Sequence, residues 1–167
     1  MNLEHLLLQN KKAILQGWLH RIFDSYNPGT GKLLLNGGDR FANPVGYAIS
    51  TGAEQILDAL IRGDEPGTLH GCLEKIIRIR AVQDFTPAQA VAFMTDLKTV
   101  IRTQVTGGAT KHGLLEELNG LDTKIDCLCT TSTELYISMK SQIRELVVKE
   151  AAKSDDFKLR VISVRKV

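Results

Sequence analysis

The sequence predicts an all-α fold: a helical bundle of five or six helices followed by a long C-terminal helix. Three observations carry this. Apolar residues recur at spacings of three and four almost throughout the 167 residues. Asn43-Pro44 and Thr86-Pro87 are helix starts, each pairing a capping side chain with a proline at the first helical position. From Leu114 to Leu146 the apolar steps alternate four and three, a heptad seam sustained for more than four heptads.

The first helix runs from about Leu3 to Tyr26, with Leu7, Ile14, Trp18, Ile22 and Tyr26 on one face. Asn27-Pro28-Gly29 is read as its stop, because proline cannot continue a helix and glycine tolerates left-handed geometry. A loop is expected from Gly29 to Ala42, with a short helical turn at Lys32 to Asn36. Asn43-Pro44 then opens a helix whose stripe of Val45, Ala48, Ile49, Ile56, Ala59 and Leu60 ends at Gly63-Asp64. Pro66-Gly67 opens the next, which keeps its period through Leu69, Leu73, Ile76 and Ile77 to about Gln83. Thr86-Pro87 opens a further one, carrying Ala90, Met94, Leu97, Ile101 and Val105 to Gly107-Gly108.

The last helix is expected from about Thr110 to Lys153, roughly 65 Å at 1.5 Å per residue. Its seam holds Leu118, Leu121, Ile125, Leu128, Leu135 and Met139, with Ser132 and Gln142 as polar interruptions. A helix longer than a small domain is wide must fold back or pair, and a 3.5-residue period favours pairing with a second copy. The reading is thus a homodimer with this seam as its contact, in which Asp at Ile125 and Leu128 would give monomers. Residues 1–109 form the helical body, 110–153 the dimerising helix and 154–167 a basic tail. The tail alternates Phe157, Leu159 and Val161, as a short strand or an unstructured end would.

Composition narrows the function classes. A net charge of +2, from 21 basic and 19 acidic residues, gives no reason to expect a nucleic-acid partner. No apolar run approaches the roughly 20 residues of a membrane span, and no secretory signal opens the chain, so a cytoplasmic location without membrane insertion is expected. Three cysteines make no disulfide framework. Cys127 and Cys129 would point about 200° apart on a helix and cannot share one ion there. Of His5, His20, His70 and His112, His70 is the best haem-ligand candidate, but nothing pairs with it, and neither haem nor metal nor another cofactor is expected. No nucleophile–base pair or phosphate loop stands out, so no enzyme is expected.

Two places invite a site. Arg80 follows the period of Leu69, Cys72, Leu73 and Ile76 and should turn inward. A buried arginine needs a carboxylate or carbonyls. Asp84 or Asp96 could supply the first, as a structural ion pair, and an anion-sensing role for Arg80 is the alternative. Trp18 and Tyr26 are core residues or pocket lining.

The runs Phe41-Ala-Asn-Pro-Val-Gly-Tyr47 and Ile77-Arg-Ile-Arg-Ala-Val-Gln-Asp-Phe-Thr-Pro-Ala-Gln-Ala-Val-Ala-Phe93, with the Trp18 helix, resemble the RsbT co-antagonist RsbRD N-terminal domain family over about residues 10 to 106. The resemblance implies an all-helical sensory domain, comparable in role to the globin-like, non-haem input domains of stressosome proteins. Such domains usually precede a STAS domain or a histidine kinase, and neither is present in this sequence. The functional expectation is a non-enzymatic sensory or adaptor module of a bacterial signalling system, with an unidentified protein partner. The alternative, which the genetic setting of stand-alone family members suggests, is a small cofactor- or metal-binding redox protein accessory to a membrane electron-transfer complex.

Overall fold

The computed structural model describes residues 2–36, 39–83, 85–106 and 112–164. Among these residues there are six α-helices and one 3-10 turn, and no strand. In order they are α1 (Leu3–Asp24), α2 (Pro28–Asn36), α3 (Pro44–Arg62), the 3-10 turn Pro66–Leu69, α4 (His70–Ala81), α5 (Pro87–Val105) and α6 (His112–Val164).

Local chemistry sets the starts. The Asn2 side chain accepts from His5 N, and Glu117 of α6 accepts from Leu3 N at 2.7 Å, so α1 is capped from within and from across the fold. Asn43 accepts from Gly46 N to cap α3, while its amide donates to the carbonyls of Leu33 and Leu34. One side chain thus ends α2 and begins α3. Gly46 is required there, because a Cβ would lie 2.5 Å from the Leu34 oxygen. Thr86 and Gln89 form a reciprocal capping box at the start of α5. Gly63, at φ 79°, closes α3 in the left-handed conformation that glycine adopts without cost.

Packing closes a ring in the order α1, α3, α4, α6, α5 and back to α1, with α2 laid outside α1 and α3. Trp18 sits at its centre with no exposed surface. Its ring stacks on Phe93 at 6.2 Å and its indole N–H donates to the Phe93 carbonyl at 2.7 Å. The tryptophan's single polar atom is thereby satisfied, as a buried indole requires.

Three sequence expectations are corrected. Residues Pro28 to Asn36 are a helix, not a loop with one turn. Pro28 occupies the first turn of α2, where its missing N–H costs nothing, and Asn27 accepts from Thr30 N. The segment from Ser154 to Val164 continues α6 as helix and is neither strand nor irregular tail.

The third correction concerns the seam. Leu118, Leu121, Ile125 and Leu128 are buried inside the chain's own core, where α6 packs on α4 and α5. They are therefore not free to contact a second copy. Leu135 and Met139 are partly buried against the same core, and the residue fully covered at that level is Tyr136. Leu118 to Tyr136 spans about five turns at 3.6 residues per turn, so the buried stripe follows the straight-helix period. Drift between a 3.5 and a 3.6 period is only about 20° per heptad, too little to separate the two readings over this length. Arg102 clamps the stripe through Asp122, Lys98 pairs with Asp126, and Lys124 donates to the Gly63 carbonyl at 2.8 Å.

Beyond this stripe α6 leaves the bundle. Every described side chain from Arg144 to Val161 is exposed, and the helix continues for about 30 Å past Ile143. Two outcomes check the assignment of the seam to the core. Ile125→Ala should lower the free energy of unfolding in urea by about 2–5 kcal/mol. Placing Asp at both Ile125 and Leu128 should abolish the helical circular dichroism signal, where a pure dimer contact would leave folded monomers.

Candidate functional site

The feature that calls for explanation is Arg80, whose side chain is 1% exposed at the end of α4. Its Nε donates to the Ala90 carbonyl at 2.9 Å, and one Nη donates to the Gln89 carbonyl at 3.0 Å and to Ser25 Oγ at 3.1 Å. The guanidinium carbon lies 4.3 Å from the centre of the Phe85 ring, 5.5 Å from that of Tyr26 and 5.6 Å from that of Phe93. Carbonyl oxygens and aromatic faces both attract a cation, which is how the charge is tolerated at this depth.

Burial lowers the Arg80 pKa from its ordinary value, opposed by the neighbouring Tyr26 and, at a distance, by Asp96. No carboxylate lies within ion-pair distance of Arg80 among the described residues. Asp96 instead accepts from Arg21 at 3.3 Å on the surface, a pairing of small worth. The expected Arg80–Asp96 ion pair is therefore corrected: α5 presents its backbone oxygens to Arg80 and turns Asp96 toward α1. Asp84 lies outside the described residues.

Three buried polar atoms are left with only one another as polar neighbours: Arg80 Nη1, the Tyr26 hydroxyl and Gln83 Oε1, the phenol lying between the guanidinium and the amide. Burial pushes the Tyr26 phenol above its ordinary 10.0, while Arg80 and Gln83 beside it favour the phenolate. Immediately outside them is an open cavity of about 410 Å³ between Ser25, Asn27 and Thr30 on one side and Val82, Gln83 and Phe85 on the other, with Tyr26 in its wall. The Tyr26 and Phe85 rings meet edge to face at 5.2 Å.

The same turn touches the last helix where it leaves the bundle. The Tyr136 hydroxyl donates to the Phe85 carbonyl at 2.7 Å, and Lys140 Nζ donates to the Gln83 carbonyl at 3.4 Å. Gln83 and Phe85 thus join the Arg80 cluster on one side to the exit of α6 on the other.

Of the residues singled out in the sequence, Arg80 and Tyr26 come together here. Trp18 does not; it belongs to the core beside Phe93. Ser25, Gln83, Phe85 and Tyr136 were not anticipated. Phe85 and Gln83 lie within the run that carries the family resemblance, but nothing in their spacing marks them. Cys127 is exposed and Cys129 partly buried on α6, Cys72 lies beside Gln55, and His70 is exposed at the first residue of α4. Among the described residues no three of His, Cys, Asp and Glu are grouped to hold a metal ion.

These features define an all-helical domain with a small polar site behind the turn that steadies its projecting last helix. The family model for the RsbT co-antagonist protein rsbRD N-terminal domain matches residues 12–145, and the chain belongs to that family. This is a signalling and regulatory domain family. The match ends at the point where α6 ceases to pack on the bundle. No curated protein and no solved structure matches the chain. Among the described residues no helix is long and apolar enough to cross a membrane.

Two substitutions separate the roles within the cluster. Arg80→Ala removes three hydrogen bonds and leaves a cavity, and should cost about 3–5 kcal/mol in denaturant unfolding. Tyr26→Phe removes a hydroxyl that lies between Arg80 and Gln83 without a well-formed hydrogen bond, and should change stability by less than about 1 kcal/mol. Because the folded-state pKa of Tyr26 is raised, its stabilising contribution is intact below pH 10.0 and is lost as the pH rises through the higher folded-state value. The alkaline decline in melting temperature should therefore be shallower in Tyr26→Phe than in the unaltered protein.

Proposed function

We propose that this chain is a sensory input module of a stressosome-like signalling system, without enzymatic activity of its own, and that α6 passes its state to a protein partner. The observation that carries the reading is the continuity of α6. One helix is core to the bundle from Leu118 to Tyr136, is held at its exit by the Gln83 and Phe85 carbonyls, and then extends into solvent. A small change there reaches the projecting segment as a tilt or rotation of a stiff rod, the kind of displacement by which helical signalling domains communicate. Membership of a signalling family supports the same reading.

The first partner in this proposal is a second copy of the chain. Ile143, Val147 and Ala151, then Phe157 and Val161, stand in steps of four on one side of the projecting segment with Ser154 between the two groups, and Val147 and Phe157 are 63% and 68% exposed. A single helix with such a stripe is marginal in water and gains by pairing. The dimer thus moves from the seam at Leu118–Leu128 to the segment beyond Ile143.

Light scattering tests this. The unaltered protein at micromolar concentration should give about twice its 18.4 kDa chain mass. Asp at both Val147 and Phe157 should give the single-chain mass with an unchanged thermal unfolding of the bundle. A single-chain mass for the unaltered protein would remove pairing from the proposal.

A further inference from the structure

We infer that the groove between the turn at residues 39–43, the start of α3 and the middle of α4 is a docking surface for an acidic segment of a partner protein that carries an apolar anchor side chain. This goes beyond the α6 reading and shares no residue with it. The starting point is the run Phe41-Ala-Asn-Pro-Val-Gly-Tyr47, which the fold explains only in its middle. Asn43 and Pro44 start α3, and Gly46 lets α2 approach. The two aromatic ends are left over: Phe41 is 90% exposed and Tyr47 41%. Nor is Phe41 loosely held. Asp39 Oδ1 accepts from Phe41 N at 3.0 Å, the Asp39 carbonyl accepts from Asn43 N at 2.9 Å, and Asn43 is itself bonded to α2 and α3. An aromatic side chain on a fixed turn can be buried by a partner with little loss of chain freedom, which makes such a residue an anchor of binding.

Phe41, Pro44 and Tyr47 line an open groove of about 330 Å³, together with Arg40, Gln55 and Lys75. Apolar rings are thus flanked by two cations, and no carboxylate lines the groove among the described residues. Neither Arg40 nor Lys75 is in an ion pair among those residues. The nearby acid, Asp39, is engaged in its own turn. Aromatic rings with arginine at their edge are what the centres of protein interfaces are rich in. Charge complementarity asks for an acidic occupant, and the rings ask for an apolar side chain among its acids. The chain's own projecting helix does not meet this requirement, because from Arg144 to Arg160 it carries five basic and four acidic side chains. A lipid surface is negative too, but it is flat and would touch only the rim, whereas a peptide side chain fills the groove.

The test is selection of random phage-displayed peptides on the full chain, then fluorescence anisotropy of the selected peptide with the unaltered protein, with Phe41→Ala, and with Arg40→Glu and Lys75→Glu combined. The selected peptides should carry Asp or Glu around a Phe, Leu or Trp. Affinity should fall tenfold or more in Phe41→Ala and in the charge-reversed pair. It should also fall as sodium chloride is raised, because exposed charges are screened. All three side chains are exposed, so both variants should keep the melting temperature of the unaltered protein. Failure to enrich any peptide overturns the inference. So do selected peptides without acidic residues, or binding that Phe41→Ala leaves intact. A peptide of residues 147–164 that binds as tightly as the selected one makes a second copy the occupant, and pelleting with phosphatidylserine vesicles that Phe41→Ala abolishes makes it a lipid surface; either result also overturns the inference. The chain mass reports on α6 pairing independently of this groove. Absence of peptide binding with a two-chain mass strikes only the docking surface, and peptide binding with a single-chain mass strikes only the pairing.

Discussion

The fold turns on one buried cation. Arg80 reaches from the end of α4 to the first turn of α5 through the Gln89 and Ala90 carbonyls, and to the end of α1 through Ser25. Three helix termini that would otherwise be joined only by apolar contact are held in register by one planar group with donors in a fixed fork, a task that lysine's point charge cannot perform. The cost of desolvating the guanidinium is met by carbonyl oxygens and three aromatic faces, and one of its nitrogens is left without a partner. A site chosen for stability alone would favour an apolar side chain of similar volume. Here the guanidinium instead has the Tyr26 phenol beside it, with Gln83 on the phenol's other side.

The second constraint is the double use of α6. Its first half supplies Leu118, Ile125, Leu128 and Tyr136 to the core, so that the bundle is incomplete without it. Beyond Ile143 it contributes nothing to that core. The boundary lies where Tyr136 and Lys140 bond the Phe85 and Gln83 carbonyls. Phe85 also stacks on the Arg80 guanidinium, so the two regions share a residue.

Much of the architecture was legible because it rests on local chemistry. Asn43-Pro44 and Thr86-Pro87 cap and start helices by bonds spanning three residues, and the inward turn of Arg80 follows from the period of its own helix. What was not legible depended on choices that spacing does not resolve. Pro28 ends one helix and opens another with the same residue, so its second role was missed. The seam on α6 serves a core or a partner equally well until the neighbouring helices are placed, and only the burial of Tyr136 in preference to Leu135 decides the period. Asp96 was a reasonable partner for Arg80 from their charges, but α5 aims it at Arg21. Gln83 and Ser25 are ordinary polar residues whose significance comes from arrival beside Arg80, a tertiary fact.

The account's central claim is that the Arg80 cluster and the exit of α6 behave as one unit through Gln83 and Phe85. Native-state hydrogen exchange on Tyr136→Phe tests it most directly, because the substitution deletes only the hydroxyl that donates to the Phe85 carbonyl. Coupling predicts faster exchange both at the Gln83 and Phe85 amides and along α6 around Lys140, with the amides of α3 unchanged. Acceleration confined to α6, with the turn as protected as before, would contradict it.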